Sequence, residues 1–312
     1  MKIAIGQIAP KLLDRETTLE KVVSTVEQAG REKCGLVAFG EGLVPGYPCW
    51  LSRTGGARFN DPDQKALHAL YVEQAVDIER GDLDDVCRAA REGSVAVVLG
   101  VIERVADRGR TLYCTRVFIG ANGEVLSTHR KLMPTYEERL AWGPGDGAGL
   151  VTHPVGPFTV GALNCWENWM PLTRAALYAA GEDLHVMIWP GSVQLTQDLT
   201  RFVAREGRVF VISASGLLRD SDLPADLPLR EAMAQPGQVL QNGGSCVAGP
   251  DGEWILEPVA NEEGLLTCEL DPSRVAAERQ NFDPAGHYAR PDVLKLTVDR
   301  RRQTTVDWVD DA

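Results

Sequence analysis

The strongest constraint in this sequence is a repeated pattern: a short apolar run of strand length stops at a polar or glycine-rich loop, and an amphipathic stretch follows. KIAIGQI near the N-terminus alternates and is rich in β-branched residues. After it, Leu19, Val22, Val23 and Val26 stand at i, i+3, i+4 and i+7, which puts four apolar side chains on one helix face. GLVAF ends at Phe39 and gives way to GEGLVPGYP, whose glycines and prolines mark an irregular loop. SVAVVLGVI, FTVGALN, LHVMIW and VFVISAS are further strand-type runs. Asp61 and Pro62 supply an N-cap and first-turn pair for a helix predicted to reach Arg80. Further helices are predicted from Leu83 to Arg91, over MPLTRAALYAAGE to about Gly181, and over LTQDLTRFVAREGR. Strands alternating with helices in this way specify an α/β fold.

Two hairpin signals interrupt the alternation. Asn122-Gly123 joins TLYCTRVFI to EVLSTHRK and delivers Lys131 at a strand exit, and Asp251-Gly252 joins GGSCVAG to EWILEPV. Residues 219–242, with three prolines and mixed charge, read as a surface loop. GLLTCEL is the last strand, Pro272 to Arg279 a short helix, and the tail from Asn281 is polar and irregular. The second half repeats the order of the first (strand, helix, strand, helix, hairpin), and no linker or composition shift divides the chain. One domain with a mixed sheet arrangement is expected, helices covering one side of each sheet.

Composition narrows the function classes. The 44% hydrophobic and 24% charged content is that of an ordinary folded domain and argues against long disorder, collagen-like repeats or a coiled coil. Lys plus Arg total 32 against 44 Asp plus Glu, a net charge of −12, so the chain lacks the positive field that phosphate-backbone binding requires and no nucleic-acid partner is expected. The longest uncharged apolar stretch, Val95 to Ile102, falls far short of the ~18–20 residues of a membrane span. MKIAIGQIAPK is too short for a signal peptide, so a cytoplasmic protein without a membrane partner is expected. Seven cysteines, an odd number without a secretion signal, argue for reduced thiols. With no Cys-x-x-Cys, no histidine pair at helical ligand spacing and no His-Glu-x-x-His, no metal is expected. GPGDG is no phosphate cradle and ISASG lacks the first glycine of a serine-hydrolase elbow.

Three strand exits carry the residues with chemical potential. In LNCWENWMP, Cys165 lies between a strand and a helix start, where free backbone N–H groups stabilise a thiolate and an oxyanion. A buried inert thiol is the competing reading, and it is the one assigned to Cys34, Cys87, Cys114, Cys246 and Cys268, with Cys49 left open. In HRKLMPTYEERLAWGPGDG, Lys131 and Glu138 cannot be told from surface residues by position alone. In FGEGLVPGYP, Glu41 ends a strand that should be buried, where a carboxylate is costly without a partner. If the three exits open on one edge, these groups share a site. Tyr47, Trp142, Trp166, Trp169 and Trp189 lie in or beside the same loops and either line a substrate pocket or pack in the core. His129 and His287 read as hydrogen-bonded structural residues.

Glu41, Lys131 and Cys165, in these segments and in this order, resemble the Glu-Lys-Cys set of the nitrilase (carbon-nitrogen hydrolase) superfamily, over nearly the whole chain. The resemblance implies a single-domain, four-layer αββα sandwich, with residues 1–280 as the hydrolase domain and 281–312 as a C-terminal tail in subunit contacts. It implies Cys165 as nucleophile, Glu41 as general base, Lys131 as stabiliser of the intermediate and Glu138 as a second glutamate. Tyr47, Trp142, Trp166 and Trp189 are the expected substrate-binding residues. Cys165-Trp166-Glu167-Asn168 and GHYARPDVL resemble nitrilases and cyanide-converting enzymes more than amidases or carbamoylases. The implied activity is conversion of a small organic nitrile to the carboxylic acid and ammonia through a thioimidate and a thioester, without a cofactor. An amidase or carbamoylase with the same site, a cyanide hydratase, and a catalytically silent binding module are the alternatives; a silent module has no need to bury such charges together. A homodimer or larger spiral is implied, although the tail beyond Leu294 is short for a nitrilase. The chemistry suits the residues, because a free thiol titrates near ~8.5 and needs a base, and the negative charge developing on nitrogen needs an ammonium and a backbone N–H. Lys131 and the Trp166 amide are the candidates.

Overall fold

The computed structural model describes residues 1–234, 240–306 and 309. One sheet contains β1 (Lys2–Gln7), β2 (Leu36–Phe39), β3 (Ala96–Arg104), β4 (Leu112–Ile119) and β5 (Val125–Arg130). The second contains β6 (His153–Val155), β7 (Phe158–Asn164), β8 (Leu184–Trp189), β9 (Phe210–Ser215), β10 (Leu217–Leu218), β11 (Gln241–Ala248) and β12 (Trp254–Ala260). The last strand, β13 (Gly264–Glu269), returns to the first sheet, whose order is β13-β1-β2-β3-β4-β5, while the second runs β10-β11-β9-β8-β7-β6 with β12 on β11. β1, β2 and β3 are parallel, as are β7, β8 and β9, and the hairpin strands pair antiparallel. The helices are α1 (Arg15–Arg31), α2 (Trp50–Arg53), α3 (Pro62–Gln74), α4 (Asp84–Gly93), α5 (Pro171–Ala179), α6 (Val193–Gly207), α7 (Arg230–Met233) and α8 (Ser273–Arg279).

Strand parity explains the layering. Ile3 and Ile5 of β1 point between the sheets, where they meet Leu36, Ala38, Val160, Val186 and Ile212. Ala4, between them in sequence, faces the other way with Val37, Val97 and Leu99, against Val22 and Val26 of α1 and Val86 and Ala90 of α4. On the far side, Met187 and Val211 pack on Leu199 and Val203 of α6. Helix, sheet, sheet and helix are thus stacked as the four-layer αββα sandwich anticipated above, each fully buried aliphatic contributing ~1.5–3 kcal/mol against solvent exposure.

Two expectations need correction. The helix opened by Asp61 stops at Gln74 rather than Arg80, because Val76 joins the edge of β3: its N–H donates to Ile102 O at 2.7 Å and its carbonyl accepts from Arg104 at 2.8 Å. Tertiary pairing overrides the helical pattern there. Within 219–242, a 3-10 turn at Asp220–Asp222 and α7 bring Leu223, Leu227 and Met233 into a buried cluster with Leu12 and Tyr71, so this is no mere surface loop; residues 235–239 lie outside the described residues. The tail is irregular from Asn281, as expected, and Arg302 ties it to the first sheet's side of the chain, donating at 3.0 Å to Asp146 Oδ1 and to the Thr128 carbonyl and hydroxyl. Residues 307, 308 and 310–312 of the tail lie outside the described residues. All seven cysteines are free thiols. Among the described residues, no helix is long and apolar enough to cross a membrane.

Candidate active site

Glu41 follows β2 by two residues, Lys131 immediately follows β5, and Cys165 immediately follows β7. The two sheets bring these exits together. The Glu41 N–H donates to Trp189 O at the end of β8 at 3.0 Å, and the close approach requires glycine: a Cβ on Gly40 would lie 2.9 Å from that same oxygen, and one on Gly100 2.3 Å from Gly40 O. The Lys131 N–H donates to Cys114 O of β4 at 2.8 Å, which fixes the root of the lysine.

The result is a closed cluster of charges. Lys131 Nζ lies 2.9 Å from Glu41 Oε1 and donates to Glu138 Oε2 at 2.7 Å. Glu138 stands on a 3-10 turn, Tyr136–Leu140, where its carboxylate also accepts from Thr135 N at 2.6 Å and from the Tyr47 hydroxyl at 2.8 Å. The Glu41 carboxylate faces the ammonium, but neither of its oxygens has a well-aligned hydrogen-bond donor, which leaves it open to accept a proton. Ligand-type atoms of Glu41, Glu138 and Cys165 all lie within 4.8 Å of one another, and these three residues and Lys131 are 1–3% exposed. Two carboxylates and a thiol are a conceivable metal set, yet Lys131 already sets a positive charge against both carboxylates.

Burial and these neighbours set the protonation states. Burial, with help from Glu138, raises the Glu41 carboxyl to about 7 against the opposing pull of Lys131. Burial and Glu41 push the Cys165 thiol well above its ordinary value, while Lys131 and the Trp166 backbone N–H pull the other way. For Lys131 burial favours the neutral amine, but Cys165, Glu41 and Glu138 outweigh it and hold the ammonium. The resting site is therefore a thiol beside a base that titrates near neutrality, next to a permanent cation.

Cys165 has φ +43°, in the left-handed region that a non-glycine residue occupies at a cost of ~1–3 kcal/mol. It opens a 3-10 turn, Cys165–Trp169, and neighbouring side chains hold that turn. Asn168 Nδ2 donates to Cys165 O at 2.8 Å. Because that amide nitrogen is committed, Asn168 Oδ1 accepts from His185 Nε2 at 2.8 Å, and His185 Nδ1 in turn contacts Glu182 Oε1 at 2.7 Å. The other brace is Glu167, which sits against His129.

The aromatic residues divide. Trp142 is buried, with Lys131 Nζ 5.6 Å from its ring centroid and Tyr47 edge-on at 5.6 Å, so both rings line the charged cluster. Trp166 offers the site its backbone N–H, but as a residue it is 50% exposed, and Trp169 is 51% exposed. Trp189 is fully buried under the Cys165 turn, clustered with Cys165 and Met187, with its indole N–H donating to Ser213 at 3.1 Å. Cys49 is buried near α2, and Cys114 on β4 has its thiol beside Glu41. From the sequence, Glu167 and Asn168 enter only as part of the Cys165-Trp166-Glu167-Asn168 wording, and none of Glu167, Asn168, Glu182 or His185 is given a role. One signal was present: Asn164 three residues before Glu167 is the spacing of a capping box.

Comparison with known proteins agrees with this geometry. The family model described as carbon-nitrogen hydrolase matches residues 2–280. An aliphatic nitrilase of Rhodococcus rhodochrous is 34% identical over 99% of this chain and 82% of its own length. An aliphatic nitrilase of Sinorhizobium fredii is 35% identical over 98% of this chain and 97% of its own. Among solved structures, a carbon-nitrogen hydrolase from Helicobacter pylori superposes with a TM-score of 0.70 at 19% identity, covering 94% of this chain and 96% of that one.

Proposed function

The chain belongs to the carbon-nitrogen hydrolase family and is an enzyme acting on carbon–nitrogen bonds, and from that premise we propose that it hydrolyses small organic nitriles to the acid and ammonia. The observation that carries the reading is the buried cluster itself: a protonated thiol, a carboxylate titrating at about 7 and a fixed ammonium in one water-poor site. Nitriles, rather than other C–N substrates, are supported by full-length similarity to relatives named aliphatic nitrilases. Glu41 takes the Cys165 proton as sulfur attacks the nitrile carbon, and a C–S bond forms while one C–N π pair moves to nitrogen. Lys131 and the Trp166 N–H meet the charge there, and nitrogen takes up a proton to give the thioimidate. Water adds, ammonia leaves with its bonding pair and a proton, and a thioester remains. A second water, its proton taken by Glu41, expels the thiol and releases the acid. Glu138 and Tyr47 hold Lys131 in line, and Trp142 walls the substrate's side chain.

The test is kcat/KM on matched nitrile and amide pairs with the same side chain. A linear nitrile presents a single nitrogen to a site preorganised along one line, so the nitrile should win by at least ~tenfold. Amides winning in every pair would replace this reading with an amidase, and amide as the main product would make it a hydratase.

We also propose a homo-oligomer in the cytoplasm. Seven free thiols suit a reducing compartment. Trp169, Met170, Leu172 and Phe202, whose ring lies under Arg174 of α5, are exposed, and Tyr288, Val293 and Leu294 of the tail are exposed as well. Apolar side chains in such number on one chain fit a surface that a second copy covers. Light scattering should give at least a dimer, and a monomer over a wide concentration range contradicts it.

A further inference from the structure

Glu167 lies two residues beyond the nucleophile, its side chain is fully buried, and no step above uses it. Its carboxylate is nevertheless the most densely hydrogen-bonded group near the site. Oε1 accepts from Leu132 N at 2.6 Å, Oε2 accepts from Asn164 N at 3.0 Å, and both oxygens lie 3.1 Å from His129 Nε2. Leu132 directly follows Lys131, Asn164 directly precedes Cys165, and His129 is two residues before Lys131 on β5. One carboxylate thus touches the backbone beside the ammonium and the backbone beside the thiol, two segments that belong to different sheets.

We propose that Glu167, backed by His129, is a positioning residue whose carboxylate clasps the Lys131 strand exit to the Cys165 turn and so sets the gap in which the substrate carbon reacts. The positive φ of Cys165 persists only where its surroundings over-determine it. Asn168 grips the carbonyl side of Cys165, and Glu167 grips the amide just before it. Of these two braces, Glu167 is the one that also reaches the backbone after Lys131. Charge strengthens the clasp, since hydrogen bonds from backbone N–H groups to a carboxylate are about twice as strong as neutral ones, and burial removes competing water. His129 supplies the donor that fixes the carboxylate's orientation. Loosening the clasp moves the ammonium relative to the sulfur while leaving the substrate's side-chain pocket in place, so the loss should fall on kcat.

This inference rests on the roles proposed for Cys165 and Lys131, and it is tested on whichever of nitrile or amide the parent enzyme turns over, so that a wrong substrate class leaves it standing. Three variants suffice: Glu167→Gln, His129→Leu, and His129→Gln, which keeps an N–H within reach of the carboxylate. A misplacement on the ångström scale costs about 10²-fold, so Glu167→Gln and His129→Leu, checked as folded by thermal melting, should lose about that factor in kcat with KM within ~threefold, while His129→Gln stays within ~fivefold of the parent. If Glu167→Gln does not fold, the His129 pair decides. A merely structural role would lower the melting temperature and leave kcat of the folded enzyme within ~fivefold, and that result overturns the proposal. Equal losses in the Gln and Leu variants, or a loss confined to KM, overturn it too.

Discussion

Cys165→Ala should fold as the parent does and lose turnover by about 10⁴-fold or more, because the proposed mechanism carries the covalent intermediate on that sulfur. The fold should survive, since the substitution removes one buried sulfur and keeps every backbone hydrogen bond of the turn, including the one that Asn168 donates to the residue 165 carbonyl. Circular dichroism and thermal melting check the fold, and ammonia release checks the activity. Activity within ~tenfold of the parent would remove Cys165 from the chemistry.

The second large effect belongs to the charges. Lys131→Met and Glu41→Gln should each lower kcat by ~10²–10⁴-fold, the range of an electrostatic stabiliser and of a general base. Their pH profiles separate the two roles. Glu41 must be ionised to take the thiol proton, so kcat/KM of the parent should fall as pH drops through about 7. That limb reports the coupled group rather than one residue in isolation. Lys131 holds the Glu41 carboxyl down, so Lys131→Met should move the limb to higher pH, whereas the residual activity of Glu41→Gln should lack it. A limb unchanged in both variants would mean that another group is the base.

Much of this site could be read from the chain because strand exits announce themselves. Glu41 was conspicuous as a charge at the end of LVAF, and Cys165 as a thiol between FTVGALN and a helix signal. Lys131 and Glu138 were not, since nothing in a local sequence distinguishes a surface lysine from one whose Nζ ends 2.9 Å from Glu41 and 2.7 Å from Glu138; the resemblance to a known family supplied them. Side-chain direction was equally hidden. Apart from His185, LHVMIW is apolar on both faces, so its parity is barely marked, and the fold shows Val186 and Ile188 between the sheets with Met187 and Trp189 toward α6. Trp166 illustrates the same limit, with a backbone N–H in the site on a half-exposed residue. The helix ends at Gln74, short of its sequence pattern, because Val76 pairs with a strand some 26 residues further along, at Ile102. Periodicity sees no such partner.

In the proposed reaction a nitrile becomes covalently attached through its own carbon to Cys165. Rapid quenching of the enzyme during turnover of a slow nitrile, followed by intact-protein mass measurement and peptide mapping, tests it most directly. The account predicts a single thioimidate or acyl adduct, confined to the peptide carrying Cys165 and absent from Cys165→Ala. An adduct on another cysteine, or full turnover with no adduct at any quench time that resolves a single catalytic cycle, would contradict it.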